Sequence, residues 1–384
     1  MSKTYPMFKV HIDIESALSQ VRNVLESGYI NEGQQVADLT AQMREILENQ
    51  QLTLVNSCTS ALTLALKIAG VGPGSNVITT PVTCVASNSP IINLGGKIIW
   101  ADITPHNGSL DPDDVIKKIT PSTKAVLCVA WAGIPGDLDR LYQICKQHKV
   151  PLILDAAHAF GATYQGQQVN HFADFTCYSF QAIKHITCGD GGAIICKHEN
   201  DFKQAKKLKW FGYDREAVKD ASGNWRGQSY DIDIAPGDLG FKFNMNNLSA
   251  AIGLSQLKHI KKIMTAHREN AQLYNQIFAE VPFLKPLQAP ANSLPSYWVY
   301  TLLLNDKKIN RDQLLQRLND EHIAAGVVHI PNNVYSCFED SHCELPGVEY
   351  FASRQISLPV GWWLEAADIK HIAQRVITLC AERD

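Results

Sequence analysis

Residues 123–162 read TKAVLCVAWAGIPGDLDRLYQICKQHKVPLILDAAHAFGA. The runs KAVLCVAW and VPLILDA are apolar at consecutive positions instead of alternating, as strands buried on both faces require. Between them, DLDRLYQICKQHKV has the texture of a helix. Strand, helix and strand at this spacing make a βαβ unit and predict a mostly parallel sheet. Towards the N-terminus the same alternation continues with LTLV, NVITT and KIIWA as strands and TSALTLALKIAG as a helix. Residues from about 52 to 200 therefore predict an α/β fold, with right-handed crossovers placing helices on both faces. In such sheets the chemistry lies at the carboxyl ends of the strands.

Further along, residues 211–240 break this rhythm with glycines, aromatics and charges, as long functional loops do. A helical pattern follows from Asn246 to Glu280. After it come an extended SYWVYTLLL, a helix INRDQLLQRLNDEH and a strand-like VVHI. The expected division is a large domain over residues 1–250 and a smaller C-terminal α/β domain over 251–384.

Composition bounds the function. Of 384 residues, 45% are hydrophobic and 19% charged, enough apolar material for a large core. With 35 basic against 38 acidic residues the net charge is −3, so no positive field calls for nucleic acid or an anionic membrane. Basic clusters at Lys203–Lys209 and Lys258–Lys262 have helical spacing and read as solvated faces. The N-terminus lacks an apolar leader core. Ten cysteines are scattered without a CxxC pair, which argues against a structural zinc site and for a reducing cytoplasm.

Three segments carry chemistry together. In VNSCTSALTLAL a strand runs into small hydroxyl residues that open a helix, and Thr59 and Ser60 sit where free backbone N–H groups favour a bound phosphate. In VPLILDAAHAFGA, Asp155 ends an apolar strand, and a carboxylate there must be paired or hydrogen-bonded to stay charged. His158 follows one turn later. In CYSFQAIKHITCGDGGAIIC, Lys184 lies between two strand-like runs, where a desolvated amine has a lowered pKa and can form a Schiff base. Ser179 is near enough in sequence to reach the same phosphate as Thr59. An anion cradle, an aspartate for a pyridine nitrogen and a lysine for an aldehyde are what pyridoxal 5′-phosphate requires, since its protonated ring is an electron sink.

These segments, with SGYINEGQQV, VGPGSNVITTPVT, GFKFNMNNLSAAIGLSQL and the S-L-P at 357–359, resemble the sugar aminotransferases of the DegT or StrS group, fold type I pyridoxal phosphate enzymes, over nearly the whole chain. The resemblance implies Lys184 as Schiff-base and proton-shuttling residue, Asp155 at the ring nitrogen and His158 at the ring. It also implies Thr59, Ser60 and Ser179 at the phosphate. Homodimers with shared active sites are implied too, with Lys242 or Asn244 reaching the partner's phosphate, and pyridoxamine phosphate as the intermediate cofactor form. Where the family places an aromatic ring on the cofactor face, this chain has Cys84. The expected reaction is amination of a nucleotide-linked keto sugar at C3 or C4, with glutamate as donor. Relatives that dehydrate sugars carry histidine at the Schiff-base position, so Lys184 favours the aminotransferase over a dehydratase, and the intact constellation disfavours a non-catalytic regulator. Tyr29 and Asn31 are candidates for sugar hydroxyls, Arg215 and Arg226 for the diphosphate, and His329 for a contact from the C-terminal domain.

Overall fold

The computed structural model describes residues 3–214, 233–341 and 343–382. Its central sheet holds β1 (Leu52–Val55), β2 (Asn76–Thr79), β3 (Lys97–Trp100), β4 (Thr123–Val129), β5 (Leu152–Asp155), β6 (Phe175–Ser179) and β7 (Gly192–Cys196), in the order β1-β7-β6-β5-β4-β2-β3. The run β6, β5, β4, β2, β3 is parallel throughout, as its apolar strands predict. Only β7 is antiparallel to its neighbours β1 and β6. A parallel neighbour needs a crossover of a dozen or more residues, usually helical. The connection from Phe180 to Gly191 contains no helix, so the chain turns back on itself. That turn carries Lys184.

Both sheet faces are covered by α1 (Ile14–Ser27), α2 (Gln34–Ile46), α3 (Cys58–Ile68), α4 (Val85–Asn93), α5 (Pro112–Lys118), α6 (Leu138–His148), α7 (Glu199–Leu208) and α8 (Asn247–Leu257). Successive residues of β5 show how: Leu152 and Leu154 join one apolar cluster with α2, α6 and α8, while Ile153 joins another with α3 and α7. Alternate side chains point to opposite faces, so a strand that is apolar at every position is held from both sides. A third cluster is built by α9 (Ile260–Phe278), α10 (Arg311–Asp320), α12 (Ala366–Ala381) and a small antiparallel sheet. That sheet contains β8 (Leu284–Pro286), β9 (Tyr300–Leu304) and β10 (Gln355–Leu358), preceded by α11 (Pro346–Arg354).

The helical pattern expected from Asn246 to Glu280 is two helices. At the junction the Asp13 carboxylate, which caps α1, accepts from Lys258 Nζ at 2.7 Å and from His259 Nε2 at 2.9 Å. α8 is buried on most sides against α1 and α2. The beginning of α9, through Met264, still packs into the first cluster, whereas from Ala271 it belongs to the third. The strand-like VVHI does not form a strand. Gly326 makes one bridge to Ser357, and the chain then runs irregularly through His329. Among the described residues no helix is long and apolar enough to cross a membrane.

Candidate active site

The α3 N-terminus, the carboxyl end of β5 and the β6–β7 turn converge on one cavity of about 330 Å³. The first wall is local chemistry. Ser57 is the N-cap of α3, and its Oγ accepts the Ser60 N–H at 3.0 Å. Ser60 is buried, and its hydroxyl donates to Asn56 Oδ1 at 2.6 Å. Thr59 and Ser57 line the cavity, whereas Ser60 braces the turn from behind. Glycine at 192 makes the arrangement possible. A Cβ there would stand 2.5 Å from the Ser57 carbonyl carbon and 2.6 Å from Cys58 N, both backbone atoms that cannot swing away. Gly192→Ala is therefore expected to destabilise the protein by about 1–3 kcal/mol, the usual range for overpacking. A denaturant midpoint equal to that of the wild type would contradict this.

Asp155 closes β5 and is buried. Its Oδ2 accepts the Ser87 hydroxyl at 2.6 Å, and Ser87 Oγ is in turn 2.7 Å from Thr83 Oγ1. Its Oδ1 accepts the Ala157 N–H at 3.0 Å. Burial pushes the Asp155 carboxyl above its ordinary value, while the Ser87 and Ala157 donors and the Lys184 charge pull it back. A carboxylate so placed gains from any cation brought beside it.

Lys184 faces Asp155 across the cavity, and its Nζ lies 3.6 Å from the centre of the Trp298 ring. Burial lowers its pKa to about 8, with Asp155 the first of the charges that resist the fall. An amine in this range can act as nucleophile and as proton carrier near neutral pH. His158 stacks on Trp298 with ring centres 3.9 Å apart and planes at 16°. Its Nδ1 is buried without a hydrogen-bond partner. Burial, then the nearby Lys184, hold its pKa well below the ordinary value, so the ring is neutral. His329 lies nearly parallel to His158 at 5.7 Å, lines the cavity and is held down to about 4, by burial first and Lys184 second.

Of the other expected residues, Cys84 and Ser179 line this cavity. Cys84 is the N-cap residue of α4 and is exposed. Lys242 and Asn244 stand outside it. Lys242 Nζ sits 3.4 Å over the Trp210 ring and donates to Asn244 Oδ1 at 2.6 Å. Asn244 Nδ2 donates to Asn31 Oδ1 at 3.1 Å, so Asn31 belongs to the same group. Tyr29 is exposed and borders a different groove, alongside Arg44 and Lys203. Arg215 and Arg226 lie outside the described residues. Sequence reasoning missed Ser87 and Trp298. Ser87 sits in the short helix after PVTC, and Trp298 in an extended run that reads as core. Neither carries a local signal beyond its residue type, because both reach the site from distant segments.

Residues 11–377 match the DegT/DnrJ/EryC1/StrS aminotransferase family. The spore coat polysaccharide biosynthesis protein SpsC of Bacillus subtilis (strain 168) is 29% identical over 368 residues, 94% of this chain and 93% of SpsC. The sugar aminotransferase CalS13 of Micromonospora echinospora is 31% identical and superposes with a TM-score of 0.89 over 97% of this chain and 99% of its own. Spr1654 of Streptococcus pneumoniae, solved in PLP, PMP and apo forms, is 26% identical; its PLP form has a TM-score of 0.88 over 99% of each chain. With its parallel sheet, its buried lysine and its strand-end aspartate, the chain belongs to the DegT/DnrJ/EryC1/StrS aminotransferase family.

Proposed function

We propose that this aminotransferase uses pyridoxal 5′-phosphate to transfer the amino group of glutamate to a nucleotide-linked keto sugar, at C3 or C4 of the sugar, in the cytoplasm. The observation that carries the reading is a buried lysine with a pKa near 8 sharing one cavity with a buried carboxylate. The cavity fits the cofactor. The unpartnered Nδ1 of neutral His158 awaits a polar neighbour, and Asp155 is a carboxylate whose burial is best offset by a protonated ring nitrogen. The N-terminus of α3 with Thr59, and Ser179 opposite, offer donors to a phosphate. Ser60 supports that turn through Asn56 and Ser57. When bound, pyridoxal phosphate supplies an electron sink for the carbanion at the carbon that bears nitrogen.

The chain's residues do the rest. Lys184 Nζ would hold the cofactor's aldehyde carbon and, when free and neutral, would carry a proton from the donor's α-carbon and give it up later in the cycle. Asp155 would set negative charge beside the ring nitrogen, and Ser87 and Ala157 hold Asp155. In a homodimer, Lys242 and Asn244 of one protomer would meet the phosphate held by its partner. Asn31, bonded to Asn244, and Tyr29 would then approach the sugar from the same side, while His329 contributes from within its own chain. Arg215 and Arg226 are retained as candidates for the substrate's diphosphate.

The amine is unreactive when protonated. Attachment of added pyridoxal phosphate to the apoprotein should therefore quicken about tenfold per pH unit below the Lys184 pKa of about 8, and level off above it. The cofactor's absorbance follows the rate, and a profile flat from about pH 6 to 9 would contradict the assignment. The reaction itself is tested with a panel of nucleotide-linked keto sugars and glutamate. Mass spectrometry should find an amino sugar with matching 2-oxoglutarate, and initial rates should be ping-pong. A deoxy sugar product, or sequential kinetics, would overturn the proposal.

A further inference from the structure

Trp298 lies far from Lys184 in sequence, yet it is bound to the lysine's turn at two points. Its Nε1–H donates to the Ile183 carbonyl at 2.8 Å, one residue before Lys184. Its ring carries the Lys184 ammonium at 3.6 Å. The indole is itself fixed. Its backbone N–H donates to the Ala132 carbonyl at 2.9 Å, and the Ser296 N–H donates to the Gly133 carbonyl at 3.0 Å. Ser296 Oγ donates to the His158 carbonyl at 2.7 Å. Gly133, at φ +88°, admits this contact because a Cβ there would stand 2.2 Å from Ser296 Oγ. Phe8 and His158 stack on the indole with ring centres at 4.7 and 3.9 Å, so it is 3% exposed and has no freedom to turn.

We infer that Trp298 is a positioning residue: its π face holds the Lys184 side chain whenever the unattached lysine carries a proton, and its N–H fixes the turn that presents it. The inference rests on the aminotransferase reading for its meaning in turnover, but not for its geometry. A lysine released in each half-reaction would otherwise be a flexible four-carbon stem with three rotatable donors, and refinding one geometry loses entropy. A ring face within about 6 Å attracts an ammonium, more strongly where water is excluded. The other groups facing Lys184 are Asp155 at the end of β5, Cys58 on α3, Cys84 before α4, His158, His185 and His329. Asp155 is the carboxylate among them. Trp298 adds an attraction for the ammonium that brings no second negative charge, so Asp155 keeps its charge for another cation.

The test reads the lysine directly, without cofactor. Competitive acetylation of the apoprotein across pH, quantified on the Lys184 peptide by mass spectrometry, gives the midpoint of its titration. Trp298→Met removes the π face and should lower that midpoint by about 0.4–1.5 pH units, the range a cation–π contact supplies. Trp298→Phe keeps a face and should restore most of the shift. It should still reduce kcat about three- to tenfold with KM for glutamate unchanged, because the bond to Ile183 is lost. Uniform fluorination of the tryptophans weakens the face without altering its shape and should shift the midpoint in the same direction, which covers a Met variant that fails to fold. Wild-type midpoints in the Met and fluorinated proteins, or a Phe variant shifted as far as Met, would overturn the inference. If the wild-type protein did not attach pyridoxal phosphate while the midpoints moved as expected, the reaction assignment would fail and the Trp298 contact would stand.

Discussion

Lys184→Ala should lower kcat for amino-sugar formation by about 10²–10⁴-fold, the range general acid–base catalysis supplies, and should abolish trapping of the cofactor by borohydride. The reasoning is geometric. Lys184 is the titratable amine of the cavity, faces Asp155 and is placed over Trp298 rather than in solvent. Alanine removes a charge whose burial is unfavourable, and it leaves the Asp155 carboxylate its Ser87 and Ala157 donors. The fold should therefore survive, with a thermal midpoint within a few degrees of the wild type. A small primary amine added to the solution should recover part of the activity by entering the vacated volume. A variant retaining more than about a tenth of wild-type kcat would remove Lys184 from the chemistry.

Asp155→Asn carries the second largest effect. Asparagine keeps the shape and the acceptor for the Ala157 N–H, and Ser87 can rotate its hydroxyl to accept from the new amide. What disappears is the negative charge. Removing one partner of a buried ion pair typically costs about 3–5 kcal/mol, so affinity for pyridoxal phosphate should fall by about two to three and a half orders of magnitude. The rate at saturating cofactor should fall as well, because the ring nitrogen is no longer held protonated. The variant also makes a prediction of opposite sign for Lys184. Asp155 is the leading charge that raises the lysine's pKa against burial, so its loss moves the midpoint of cofactor attachment below about 8. Titrating cofactor by absorbance at several pH values measures both quantities. Unchanged affinity together with an unchanged midpoint would mean that Asp155 serves only to cap the turn at Ala157.

Much of this was legible in the linear sequence, for reasons of period and locality. Buried parallel strands are apolar at every position, and β5 shows why, with Ile153 in one cluster and its neighbours in another. The segments ending in Asp155 and containing Lys184 are each continuous, and strand ends in such a sheet lie on one side. Their meeting follows from the topology. The reversal at β7 was less visible, because an apolar strand has no mark of direction. Only the missing crossover between Ser179 and Gly192 betrays it.

The sequence by itself determined the sheet and singled out the lysine and the aspartate as candidates, since each depends on a short stretch with its own physical signature. Tertiary structure decided what surrounds them. Ser87 reaches Asp155 from the helix after β2, and Trp298 reaches Lys184 from the segment that leads into β9. It also separated residues that sequence reasoning had grouped, leaving Thr59 on the cavity wall while Ser60 braces the turn behind it. A hydroxyl or an indole has no local pattern that names its partner. Its role comes from the few ångströms between segments that only packing brings together.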